Sequence, residues 1–183
     1  MVLIRVASVA DAAAVSAVQR ASWLAAYSDI IDSSLIERVV PPDDGMRVRQ
    51  SFRIRPWQQM IVAVDDSPDA GARVVGYATY GPELEVLGAS WPHPMSQAGA
   101  AGQVGELYAL YVDPGWWSTG TGRALITRAL DRLAPYPIVT LWVLERNARA
   151  RRFYARAGFA ADGAVNLLDA LGGVTELRYR REL

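Results

Sequence analysis

The stretch Leu107–Ile126 constrains this chain more than any other. Leu107–Val112 is aliphatic and aromatic and stops at Asp113-Pro114, so it reads as a strand. The loop Ser118-Thr119-Gly120-Thr121-Gly122 follows, and Leu125, Ile126, Ala129, Leu130 and Leu133 then recur at helical spacing. Glycines let backbone N–H groups converge where a side chain would collide. A helix start adds unpaired N–H groups and partial positive charge. Together these features make a site for a phosphate or pyrophosphate. A P-loop has Lys and then Ser or Thr after its last glycine, whereas Arg123-Ala124 stands here. A dinucleotide fingerprint places a third Gly or Ala where this chain has Leu125. Taken alone, the Gly-x-Gly turn is equally a plain helix entry.

Composition removes several chemistries. With no cysteine among 183 residues, thiol catalysis, disulfides and cysteine-ligated metals are excluded. The single histidine, His93, sits in Trp-Pro-His-Pro, which reads as an extended loop, so no metal site is expected. Lys+Arg and Asp+Glu both number 19, which argues against a nucleic-acid or membrane-surface partner. Arg5 and Asp11 interrupt the first apolar run, so no leader or spanning segment is read there, and a cytoplasmic location is expected. Hydrophobic residues at 51% suit a folded core, and no repeat or linker divides residues 1–183, which are expected to form one domain.

The order of elements is α+β with an α/β-like centre. Leu3–Val6 is a strand, and Ser8 with Asp11 forms a capping box for a helix reaching Tyr27. Ala14, Val18, Ala21 and Ala25 form its expected buried stripe, with Trp23 and Tyr27 on roughly the opposite side. Those two aromatics either pack under the next helix or wall an acceptor pocket. Asp32 caps a helix over Ser33–Val40, and Asp43–Phe52 is a third helical piece. Met60–Val64 and Val74–Tyr80 read as a hairpin, and Glu83–Gln103 as a long loop. Ile138–Leu144 is an uncharged, buried strand. Asn147 caps a helix that Gly158 stops, and Phe159–Val165 and Val174–Arg180 pair around the Leu168–Gly173 loop.

A second motif makes the reading specific. Leu141-Trp142-Val143-Leu144-Glu145-Arg146-Asn147, then Ala150, Phe153-Tyr154 and Gly158-Phe159, closely resembles the second signature of the GNAT family of N-acetyltransferases. It lies one helix and one strand after the glycine loop, where that family places it. Trp117-Ser118-Thr119-Gly120-Thr121-Gly122 resembles the family's pyrophosphate loop, except that Trp117 replaces Gln or Arg. Glu106–Val112 resembles its central strand.

The resemblance implies a mixed, mostly antiparallel central sheet with helices on both faces and a splayed central strand pair. It also implies transfer of acetyl from acetyl-CoA to an amine of a small molecule or peptide. The backbone of Leu110, Tyr111 and Val112 would pair with the pantetheine arm, Trp117 through Arg123 would cradle the pyrophosphate, and Asn147 and Phe153 would meet the cofactor. The Val112 N–H would hold the oxyanion. Glu106 would be the base, and its strand parity with Leu110 and Val112 puts the three on one face unless a bulge intervenes. Tyr154 would be the acid. Trp23 and Tyr27, with Glu83, Glu85 and Trp91, are candidates for the acceptor pocket, and Arg123, Arg149 and Arg156 for the 3′-phosphate. A non-catalytic acetyl-CoA-binding module is the alternative. Many members of the family form dimers, and this sequence leaves a homodimer open.

Overall fold

The computed structural model describes residues 2–42, 45–54, 57–67, 71–83 and 104–183. Among these residues seven strands form one sheet in the order β1-β2-β3-β4-β5-β7-β6. They are β1 (Val2–Val6), β2 (Gln59–Asp65), β3 (Arg73–Pro82), β4 (Val104–Val112), β5 (Ile138–Leu144), β6 (Ala160–Leu168) and β7 (Val174–Glu182). All neighbouring pairs are antiparallel except β4 with β5. The helices are α1 (Ala12–Tyr27), α2 (Ser33–Val39), α3 (Met46–Ile54), α4 (Thr121–Leu133) and α5 (Ala148–Arg156). The Glu83–Gln103 reading, with Glu85, Trp91 and His93, falls almost entirely outside the described residues; Glu83 is inside them.

The sheet is covered on both faces, which is why β2 and β3 are buried along nearly their whole length. On one face Leu125, Ile126, Ala129 and Leu133 of α4 pack on Ile61, Val75, Ala78, Leu107 and Leu141. On the other, Val15 and Val18 of α1 pack on Val62, Val64 and Tyr77. A third cluster joins Trp23, Ile31 and Ile36 to Leu144, Leu168 and Leu171.

Two expectations are corrected. The buried stripe of α1 is Ala12, Val15, Ser16, Val18, Ser22 and Trp23; of the expected residues only Val18 belongs to it, and Ala14, Ala21 and Ala25 do not. Ala25 is exposed, and Trp23 is buried at 4% exposure. The phase is set by Ser22, whose hydroxyl donates to the Val112 carbonyl at 2.8 Å, and by the bulk of Trp23. The second correction concerns β4. Thr79 pairs with Ala109 but Tyr80 pairs with Leu107, so Tyr108 is an extra residue in the ladder. The bulge flips parity: Leu107 joins Leu110 and Val112 on the α4 side, and Glu106 joins Ala109 and Tyr111 on the α1 side. The Tyr108 hydroxyl donates to the Pro82 carbonyl, anchoring the bulged residue to β3.

The start of α1 carries a pH-dependent contact. A one-turn 3₁₀ helix, Val9–Asp11, precedes it, and Asp11 Oδ2 accepts from the Ser8 N–H at 2.7 Å. Arg5 donates to the same carboxylate at 2.6 and 2.8 Å. The Arg5 hydrogen bonds, opposed by burial, lower the Asp11 pKa from 3.8 to about 2. A carboxylate with a lowered folded pKa contributes stability above its unfolded pKa and loses it as pH falls through the folded value. The protein is therefore expected to lose an increment between about pH 4 and pH 2 that Asp11→Asn lacks. Arg5 is 40% exposed, and that screening limits the increment to about 1 kcal/mol. Denaturant titrations of both proteins at pH 6, 4 and 2.5 measure it; an unchanging difference across that range would contradict the assignment.

Candidate active site

The sheet opens at the one parallel pair among the described strands. The β4–β5 ladder ends at Glu106 and Thr140. Beyond that point β4 stays on β3 to Val112, and β5 stays on β7 to Leu144. The two strands splay, and a cleft of about 1710 Å³ occupies the opening. The Asp113 N–H donates to the Val75 carbonyl at 2.9 Å. Antiparallel alternation then pairs Tyr111 with Tyr77 and turns the backbone groups of Leu110 and Val112 toward the opening.

The Val112 carbonyl is already engaged. It accepts from Ser22 Oγ and also from Trp117 Nε1 at 2.7 Å. Strand-like pairing along this edge is therefore left to both groups of Leu110 and to the Val112 N–H.

The glycine loop closes one end of the cleft. Asp113 caps a 3₁₀ turn, Pro114–Trp116, by accepting from the Gly115 N–H at 2.9 Å, and it pairs with Arg73 at 2.6 Å. Ser118 and Gly120 both have positive φ, 64° and 95°. Gly120 is the N-cap of α4 and offers no side-chain cap to the first turn. The N–H groups of Thr121, Gly122 and Arg123 have no intrahelical acceptor and carry the positive end of the helix dipole. The Phe153 ring lies against this turn, 3.4 Å from where a Cβ on Gly122 would stand. Thr119 Oγ1 donates to the Trp116 carbonyl at 2.8 Å and lies 2.9 Å from Thr121 Oγ1, which fixes the loop. Trp117, where the resembling pattern has Gln or Arg, has a structural use of its own: the Arg149 guanidinium stacks 3.5 Å from its ring centroid. Arg123, Arg149 and Arg156 all border the cleft.

Asn147 Oδ1 accepts from the Ala150 N–H at 3.0 Å, so its oxygen caps α5 while its amide N–H groups can meet a ligand. Tyr154 is 9% exposed, with Phe153 and Phe159 edge-on at 5.2 and 6.2 Å. Burial, and secondarily Tyr111, pushes its phenol pKa well above 10, so it holds its proton. Tyr27, Tyr77 and Tyr111 are raised for the same first reason, burial. Trp23 meets Tyr27 edge-on at 5.1 Å and Tyr111 at 6.5 Å. Trp23 and Tyr27 pack in the third cluster and also line the cleft.

Glu106 lies at the fork, 6% exposed, in the cleft wall. Glu83 accepts from Thr140 Oγ1 at 3.1 Å and lies 3.7 Å from Arg178, so it is drawn to β5 and β7. Sequence reasoning missed Glu176. It is 7% exposed in the cleft wall, and its Oε1 accepts from Asn166 Nδ2 at 2.9 Å.

The geometry agrees with comparisons to known proteins. The family model described as Acetyltransferase (GNAT) family matches residues 23–159. The chain belongs to this family and is an acyltransferase, with acetyl-CoA as its co-substrate. It is 27% identical over 173 residues to a "Probable N-acetyltransferase" of Mycobacterium tuberculosis, covering 93% of this chain and 87% of that one. It is 51% identical over 57 residues to a mycothiol acetyltransferase of Beutenbergia cavernae, a match spanning 30% of this chain and 19% of the relative. Its fold is that of the PaiA N-acetyltransferase from Thermoplasma acidophilum, solved in complex with coenzyme A, with a TM-score of 0.71 at 16% identity over 100% and 99% of the two chains. YjaB from Escherichia coli has a TM-score of 0.65 at 23% identity, over 98% and 97%. Among the described residues, no helix is long and apolar enough to cross a membrane.

Proposed function

We propose that this chain, working as one domain, moves the acetyl group of acetyl-CoA directly to a primary amine of a small molecule or peptide, with Glu106 as base and Tyr154 as acid. The observation that carries this is the strand fork, with a buried glutamate at its apex and the capless glycine turn at its mouth.

An alkylammonium, with a reference pKa of about 10.4, must lose a proton before it attacks. Glu106 faces the α1 side with Trp23, Tyr27 and Tyr111, so the acceptor enters there. The pantetheine arm separates the pyrophosphate from the thioester. The N–H groups of Leu110 and Val112 both face the opening, and that of Val112 holds the oxyanion of the tetrahedral intermediate. Glu106 takes the ammonium proton, the freed amine attacks to make the N–C bond, and the C–S bond breaks as the nitrogen's second proton passes to solvent. Tyr154 donates its proton to the departing thiolate.

The residues at the glycine turn suit a diphosphate: N–H donors, a helix N-terminus and the bordering arginines. Gly122→Ala tests the cradle. A Cβ there makes only ordinary contact with Phe153, so the melting temperature is expected to hold within a few degrees. The KM for acetyl-CoA is expected to rise about tenfold, near 1.4 kcal/mol, as the methyl keeps the phosphates off the N–H groups. An unchanged KM would remove this turn from phosphate binding.

The function itself is tested by thiol release from acetyl-CoA with polyamines, aminoglycosides, amino acids and peptides bearing free amines. Release above hydrolysis with one class supports transfer and names the acceptor. Silence across all classes counts against it and favours an acetyl-CoA-binding module.

A further inference from the structure

Glu176 is unaccounted for by the acetyl transfer described above. It is a carboxylate held away from water in the wall of the cleft. Asn166, which binds it, is a neutral donor and does not itself balance the charge. Burial raises the carboxyl's pKa, and the Asn166 amide opposes the rise. The next residue on the same side of β7, Arg178, is drawn off by Asp162 at 2.7 Å and by Glu83 at 3.7 Å.

The surroundings fit a cation. Leu144, opposite Glu176 on β5, packs with Trp23, Tyr27 and Tyr111, so aromatic rings stand on the same side of the sheet. Electron-rich ring faces attract ammonium groups, and a buried carboxylate adds the full charge. A further sign of a polar occupant comes from Trp23. Its buried Nε1 approaches the Tyr111 hydroxyl without reaching hydrogen-bond geometry, and it has no other partner among the described residues. Buried donors in native proteins are nearly always paired, and this one borders the cleft.

Position separates Glu176 from Glu106. Glu106 is in register with Thr140, and Glu176 with Leu144, further along β5. At a strand's rise this is about 13 Å along the sheet, too far for both carboxylates to hold one nitrogen. Both nonetheless line the same cleft, on the α1 side.

We propose that Glu176 is a specificity residue that binds a second cationic nitrogen of the acceptor while the reacting nitrogen lies beside Glu106, so that the enzyme favours diamines over monoamines. This rests on the amine-acetylation reading above. The test measures kcat/KM at saturating acetyl-CoA for 1,4-diaminobutane, 1,6-diaminohexane, 1,8-diaminooctane and hexylamine. The wild-type protein is expected to favour at least one diamine over hexylamine by tenfold or more, and Glu176→Gln to bring that ratio close to one. A ratio near one in the wild-type protein, or a preference that survives in Glu176→Gln, overturns the proposal and leaves amine acetylation standing. If no amine is turned over, the acetylation reading is what fails. Calorimetry of 1,6-diaminohexane binding to the acetyl-CoA-loaded protein then decides on Glu176 separately. Binding that Glu176→Gln weakens tenfold supports the carboxylate's role, and binding that is absent or unaltered overturns it. Melting curves confirm that the variant is folded.

Discussion

Glu106→Gln is expected to lower kcat/KM for the acceptor by about two to three orders of magnitude at pH 7, within the range typical of general-base catalysis. The size follows from the acceptor's own chemistry. With a pKa of about 10.4, only about one amine in 2,500 is unprotonated at pH 7, and the rest cannot attack. Glutamine keeps the shape of a side chain that is 6% exposed at the fork, but it cannot take the proton. The variant should therefore recover rate as pH rises toward the acceptor's pKa, roughly tenfold per unit, while the wild-type profile levels off earlier. The KM for acetyl-CoA should stay within about threefold, because the phosphate turn and the Leu110 edge lie elsewhere on the cleft wall. A role confined to holding the fork together would instead lower the melting temperature and leave the pH profile unaltered. A kcat/KM at pH 7 equal to that of the wild-type protein would remove Glu106 from proton transfer.

The elements that build this site are those the sequence describes best. β5 occupies Ile138–Leu144 as its uncharged run implies, and α5 begins after Asn147 because that side chain caps it. Glycine at positive φ after α5, Gly158, and at the start of α4, Gly120, marks turns that other residues adopt at a penalty of about 1 kcal/mol or more. What alternation could not reveal is the extra residue at Tyr108. A bulge has no composition of its own in a run of Leu, Tyr, Ala and Val, yet it moved Glu106 to the opposite face. The phase of α1 was equally hidden. Alanine suits a buried or an exposed position, and Ser22 is buried because the Val112 carbonyl waits for it 90 residues away. Glu176 alternates with Arg178 and Arg180 along β7, a pattern that reads as a solvated face. Only the packing of α1 and α2 over that end of the sheet shows that Glu176 is enclosed.

Tyr154→Phe should lower kcat about ten- to a hundredfold and leave the KM for acetyl-CoA nearly unaltered. The phenol is held in its protonated form by burial, so at neutral pH it is a donor and not a base. The leaving thiol, with a pKa near 8.5, departs fairly well without help, which keeps the loss at the lower end of the range for acid catalysis. The same reasoning supplies a test that packing alone cannot imitate. A thioester of p-nitrothiophenol leaves as a far weaker base and needs no proton. The deficit of Tyr154→Phe should shrink several-fold with that acyl donor relative to acetyl-CoA. Phenylalanine retains the ring contacts with Phe153 and Phe159, so stability should change by no more than about 1 kcal/mol. If the deficit is the same for both donors, the hydroxyl positions Tyr111 or the acceptor and does not protonate the sulfur. If kcat with a true acceptor is untouched, Tyr154 is a core aromatic that happens to border the cleft.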